Sequence, residues 1–186
     1  MGAMATTVYH VAASLDGYLT GPRPAAGLQA AGPATGVEDG GDWLSIVDPA
    51  SVGAIVMGAQ TYRSFIEENP AAWAFGTIPA WIFTHHEFPG IPGADITFVR
   101  GDVAEFHPDI AHDAGVKDIG LIGGGNLAAQ FLDSGLLDEV VLTLVPVVLG
   151  GGRPMLPVSN ATDFAVLSGS RSHGPGLVEL HYSFAR

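Results

Sequence analysis

Three consecutive glycines, Gly123-Gly124-Gly125, stand between the apolar run Asp118 to Ile122 and a helical pattern from Asn126 to Leu132. Glycine takes backbone angles that other residues avoid, and without a Cβ it lets a ligand approach the main chain. The first N–H groups of a helix have no internal partners and carry partial positive charge. A glycine turn that opens a helix therefore suits a phosphate or pyrophosphate, or else close packing of helix on strand. Gly58-Ala59-Gln60-Thr61 repeats the arrangement after the run Gly53 to Met57 and adds a hydroxyl.

Other residues bring charge. Asp16, in Ser14-Leu15-Asp16-Gly17, suits a turn. Asp42 suits the N-cap of a short helix predicted over residues 42–47. Arg153, in Gly150-Gly151-Gly152-Arg153-Pro154, suits a clamp on a substrate phosphate or carboxylate, or a solvated loop. His85 and His86 close a predicted strand. Neighbours in an extended chain point to opposite sides, so they make a poor ligand pair, and no metal is expected.

The elements that must position these groups follow from periodicity. Buried strands are predicted over residues 6–13, 53–58, 79–84 and 95–99. Helices are predicted over 59–68 and over 103–115, the latter broken or restarted near Pro108. A long strand over 136–150, interrupted at Pro146, precedes a hairpin of residues 164–171 and 177–184. In its last strand Leu180, Tyr182 and Phe184 alternate with Glu179, His181 and Ser183, as for one buried face. Residues 21–41 have no period and read as a lid-like loop. The order predicts an α/β fold with a mostly parallel central sheet and a C-terminal antiparallel hairpin. Such sheets bind ligands at the carboxyl ends of their strands, where the glycine joints, His85 and the small residues Ala12 and Ala13 fall.

The 186 residues fit one domain over 6–186, and residues 1–5, with Met1-Gly2-Ala3-Met4, read as a cloning scar or terminus. A net charge of -12 with 7 Lys+Arg excludes a binder of nucleic-acid backbone. No cysteine is present, so disulfides, thiolate metal sites and a Cys nucleophile are excluded. No apolar run reaches the roughly 20 residues of a membrane span, so no membrane partner and a cytoplasmic protein are expected.

Five segments resemble the dihydrofolate reductase-like superfamily, and more narrowly the reductase domain of bacterial riboflavin biosynthesis. They are Ser14-Leu15-Asp16-Gly17, Gly58-Ala59-Gln60-Thr61, Thr84, Ile122-Gly123-Gly124-Gly125, and Gly135-Leu136-Leu137-Asp138-Glu139 leading to Pro146-Val147-Val148-Leu149-Gly150. The resemblance implies a three-layer fold and a nicotinamide cofactor, NADPH with NADH as the alternative. It puts the pyrophosphate between Gly123, Gly124, Gly125, Asn126 and Leu127 on one side and Ala59, Gln60 and Thr61 on the other. The nicotinamide would lie near Val11, Ala12 and Leu19, and the adenosine end near Thr84 and His85. Folate-type relatives carry an arginine where Ala59 stands, and riboflavin-type relatives a glutamate where Ile122 stands. Reading of an NADPH 2′-phosphate would then fall to Gln60, Arg63, His85 or His86.

The expected function is an NAD(P)H-dependent reductase of the riboflavin-biosynthesis type, acting on a ribosylaminopyrimidine-like heterocycle or a carbonyl compound. Alternatives are dihydrofolate reduction, or a homolog that binds cofactor without turnover. The resemblance makes Asp42, placed where folate-type relatives bind the pterin edge, and Asp16, whose loop closes over the nicotinamide in relatives, the candidates for the polar group that handles the proton, while Trp43 and Tyr18 suit walls around a flat substrate or plain core. The apolar strands and short hairpin, as in riboflavin-type relatives, imply a homodimer.

Overall fold

The computed structural model describes residues 5–20, 47–68, 73, 75–159, 164–173 and 176–185. Its frame is an eight-stranded sheet. The strands are β1 (Thr7–Ser14), β3 (Val52–Gly58), β4 (Ala80–Phe83), β5 (Ile96–Val99), β6 (Asp118–Ile122), β7 (Glu139–Val145), β9 (Ala165–Ser172) and β10 (Val178–Phe184). A separate pair joins β2 (Tyr18–Thr20) to β8 (Arg153–Pro154). The helices are α1 (Ala59–Glu68), α2 (Val103–Ala114) and α3 (Gly125–Asp133).

The sheet order is β5-β4-β3-β6-β1-β7-β10-β9. Every pair from β5 to β7 is parallel, while β10 runs antiparallel to β7 and β9 antiparallel to β10. The sheet is mostly parallel with a C-terminal antiparallel pair, as expected. Strand β1 lies between β6 and β7, and its near-continuous burial is what a strand covered on both faces requires.

The two faces carry separate cores. Tyr9, Val11, Ala54, Val56, Ile119 and Leu121 pack with α2 and α3 through Ile110, Ala128 and Phe131. Ile55, Met57, Ala80 and Ile82 pack on the opposite face with Tyr62 of α1. Residues one apart in β3 thus serve different layers, which gives the three-layer fold. Because β1, β3, β4 and β6 are parallel, Ser14, Gly58, Thr84 and Ile122 come to one edge of the sheet.

Four expectations are corrected. Helix α2 runs unbroken through Pro108, which with Ala104 lies on the exposed side; water can serve the carbonyl that proline's missing N–H leaves unbonded. The long strand begins at Glu139 and ends at Val145, because Gly135 and Leu136 are used to close α3 through Leu132 and Phe131 carbonyls. Residues 153–154, read as loop, pair with residues 18–20. In β10 both sets of alternating residues are half-buried, so the strand has no clean inside and outside. The helix predicted over 42–47 lies outside the described residues except for Val47, which is buried.

Candidate active site

The joint between β6 and α3 is built on left-handed glycines. Gly123 has φ 64° and Gly124 has φ 84°, angles that cost other residues strain. The Gly124 carbonyl accepts the N–H groups of Leu127 and Ala128 at 2.8 and 3.0 Å, so α3 begins at once. No side chain caps this end, and the first turn holds no acidic residue. The α3 N-terminus therefore keeps its positive character.

The joint between β3 and α1 lies against it. A Cβ added to Gly123 would lie 2.6 Å from Thr61 Oγ1, and one on Gly124 would lie 4.0 Å from the Gly58 nitrogen. A Cβ on Gly58 would meet nothing within 4 Å, so open space stands above that backbone. The first turn of α1 is also free of acidic residues. The two glycine joints, separated by more than sixty residues of sequence, meet beside the open space above Gly58.

A third contribution comes from β8. A Cβ on Gly125 would lie 2.5 Å from the Pro154 carbonyl oxygen and 2.7 Å from that of Met155, so this segment is seated directly on the start of α3. Arg153 Nη1 donates a hydrogen bond to Gln60 Oε1, the second residue of α1. Arg153, a candidate for holding substrate, thus reaches the helix start expected to hold cofactor.

The end of β1 is held by Asp16. The buried Ser14 hydroxyl donates to Asp16 Oδ1 at 2.6 Å, and Asp16 also accepts the N–H groups of Leu149 and Gly150 at 3.0 and 2.7 Å. The Ser14 hydrogen bond, followed by those from the backbone, holds its carboxyl down to about 2. A carboxylate so engaged is ionised at neutral pH and has no proton to give. Ser14 Oγ also accepts the Tyr18 N–H at 3.0 Å, and the Gly17 carbonyl accepts the Met155 N–H at 2.9 Å. Tyr9, fully buried, donates its hydroxyl to the Met155 carbonyl at 3.0 Å. The loops after β1 and β7 are thereby tied into one rim.

The remaining candidates are distributed along the same edge. Val11 and Leu127 turn their side chains into the core with α3, leaving backbone for any ligand, and Leu19 packs on the same cluster half-buried. Ala12 faces the other side, against Val145 and Leu177. Ile122 packs on the α1 side, and Asn126 is exposed. Thr84 is buried, and its hydroxyl binds the His86 backbone at 2.9 and 3.1 Å, which shapes the turn carrying the exposed His85. Arg100 donates to the His85 carbonyl at 2.7 Å. Tyr18 is half-buried at the rim. Asp42 and Trp43 lie outside the described residues.

Sequence reasoning missed Ser14 and Met155. Ser14 had a signal, a hydroxyl two residues before Asp16 at a turn. Met155 acts through its backbone and had none.

A mostly parallel sheet with helices on both faces, antiparallel strands at its C-terminal end and paired glycine joints at the strand ends defines a dihydrofolate reductase-like domain of the riboflavin-pathway reductase type. The chain belongs to the RibD C-terminal domain family, whose model matches residues 67–177. It is 27% identical to the uncharacterized protein YwjB of Bacillus subtilis (strain 168) over 95% of this chain and 96% of the relative. A Shewanella sp. PV-4 structure named for riboflavin biosynthesis shares the fold, with TM-score 0.76 and 24% identity over 98% of this chain and all of that one. So does a Thermotoga maritima diaminohydroxyphosphoribosylaminopyrimidine deaminase/5-amino-6-(5-phosphoribosylamino)uracil reductase, with TM-score 0.60 and 14% identity. This chain is covered over 98%, and spans 57% of that two-activity protein. No described helix is long and apolar enough to cross a membrane.

Proposed function

We propose that the protein is an NAD(P)H-dependent reductase of the riboflavin-biosynthesis type, acting on a small heterocyclic or carbonyl substrate such as a phosphoribosylaminopyrimidine. The observation that carries this reading is the contact of the two glycine joints, Gly123 on Thr61 and Gly124 beside Gly58. Two helix starts with no acidic residue in their first turns, that of α3 without a side-chain cap, open space over Gly58 and a nearby guanidinium fit a pyrophosphate. Membership in the RibD C-terminal domain family supports the same reading.

A reduced nicotinamide, when bound, supplies the hydride. The chain's own residues hold and orient. Gly123, Gly124, Gly125 and Asn126 offer backbone to the pyrophosphate on one side, and Gly58, Ala59, Gln60 and Thr61 on the other. Ala12 and the backbone of Val11 give a flat floor at the end of β1. Asp16 is the clamp that fixes the rim over that floor, with Tyr18 beside it. Thr84 and His85 stand at the edge nearer β4, where an adenosine end would lie. Asp42 is the candidate for steadying or protonating the atom that gains charge.

A second copy of the chain is the proposed partner. Strand β9 is one of the two outer strands of the sheet among the described residues and exposes Val166 and Leu167, with Phe164 85% exposed just before it. Unpaired, apolar edge strands invite association.

The test is a screen of NADPH and NADH oxidation with phosphoribosylaminopyrimidines, dihydrofolate and simple carbonyl compounds. Oxidation dependent on one class names the substrate. Oxidation of neither cofactor with any class, despite binding, favours the homolog without turnover.

A further inference from the structure

We infer that Arg153 is the charged ligand of the cofactor's pyrophosphate, with Gln60 orienting the guanidinium. The inference rests on the reductase reading above, and it moves Arg153 from the substrate to the cofactor.

Three segments converge where the guanidinium lies. Gln60 is the second residue of α1, and its side-chain oxygen accepts the Arg153 hydrogen bond. Its neighbour Thr61 carries the hydroxyl against which Gly123 is packed. On the other side, the Pro154 and Met155 carbonyls sit on Gly125, the first residue of α3. Arg153 is thus anchored at one glycine joint through its backbone neighbours and reaches the other through its side chain. Its hydrogen bond to Gln60 links the two joints.

The chemistry of the side chain suits a pyrophosphate. A guanidinium offers five donors in a fixed fork that matches two phosphate oxygens at once. In a chain of net charge -12 with only 7 Lys+Arg, a cation at this point also offsets repulsion of an incoming dianion. The position of β8 is set by backbone: its register with Tyr18 and Thr20, and the Met155 contacts with Gly17 and Tyr9. Changing the Arg153 side chain should therefore leave the fold in place.

The test is calorimetric titration of wild type, Arg153→Ala and Arg153→Lys with NADPH and, separately, NADH, beside thermal unfolding of each variant. Both cofactors carry the pyrophosphate, and only NADPH carries the 2′-phosphate. The expected result is that Arg153→Ala weakens both by the same factor, about ten- to a hundredfold, the range of a lost charged hydrogen-bond pair. Arg153→Lys should recover part of the loss for both, with unfolding midpoints unchanged. Loss confined to NADPH would overturn the inference and make Arg153 a reader of the 2′-phosphate. Unchanged affinity for both would overturn it and leave Arg153 a strut for Gln60. Wild type that binds neither cofactor would sink the reductase reading itself, and the inference with it.

Discussion

Gly123 and Thr61 meet so closely that a Cβ on the glycine would lie 2.6 Å from the threonine hydroxyl oxygen. This contact joins the β6–α3 turn to the start of α1 and brings two helix N-termini to one cleft. Gly123→Ala should suffer twice, from its φ of 64° and from the hydroxyl. A loss of about 1–3 kcal/mol in denaturant unfolding is expected, together with weaker NADPH binding. Thr61→Ala removes the hydroxyl but leaves the angle, so the double variant should regain only part of the stability. Full recovery would mean that the angle costs nothing.

Asp16 gives a pH dependence whose sign is fixed. Its carboxyl stands at about 2 in the fold against an ordinary 3.8. A lowered folded value gives stability that is present above the ordinary value and lost as pH falls through the folded one. Wild type should lose stability between about pH 4 and 2 in a way that Asp16→Asn does not. Asp16→Ala should also free the loop at Leu149 and Gly150 and lower kcat more than it raises KM, since the rim it fixes lies over the reacting end. Unfolding curves across acid pH and steady-state rates at neutral pH check the two parts.

Tyr9 supplies a stability test away from charge. It is fully buried, burial pushes its hydroxyl pKa up, and its one described hydrogen bond is to the Met155 carbonyl. Tyr9→Phe should cost about 1–3 kcal/mol, because the carbonyl loses its partner inside the protein. The loss loosens the segment that follows Arg153, so cofactor affinity should fall as well. Unfolding and titration of the same variant measure both.

The cleft was legible because its parts are local signals. Glycines after apolar runs, with helical period behind them, mark strand–turn–helix joints wherever they occur, and parallel order brings the joints to one edge. The pair β2–β8 was not legible. Strands of two and three residues carry no alternation, and Pro154 cannot donate to a ladder. Their pairing comes from contacts of Met155 with Gly17 and Tyr9, which are far apart in sequence. The direction of Arg153 depends on that pairing, so the sequence could mark the residue but not the wall it reaches. Pro108 misled for the opposite reason: a strong local breaker was overridden where the helix faces water. Asp16 was marked for its charge, while the three donors that keep it ionised come from Ser14 and from a loop over 130 residues away.

Strand β9 tests association. Val166 and Leu167 are 64% and 51% exposed on a strand whose outer edge has no partner among the described residues. If a second copy covers this edge, the double variant Val166→Lys, Leu167→Glu should shift light-scattering mass from dimer to monomer without unfolding the core. A monomeric wild type at high concentration would remove the homodimer from the account.

The most direct test of the central claim is titration of the wild-type protein with NADPH and NADH, read by quenching of its three tryptophans. The account predicts saturable binding of at least one reduced cofactor in the micromolar range or tighter, weakened in Gly123→Ala. Failure of both cofactors to bind would contradict it and leave the paired glycine joints as packing alone.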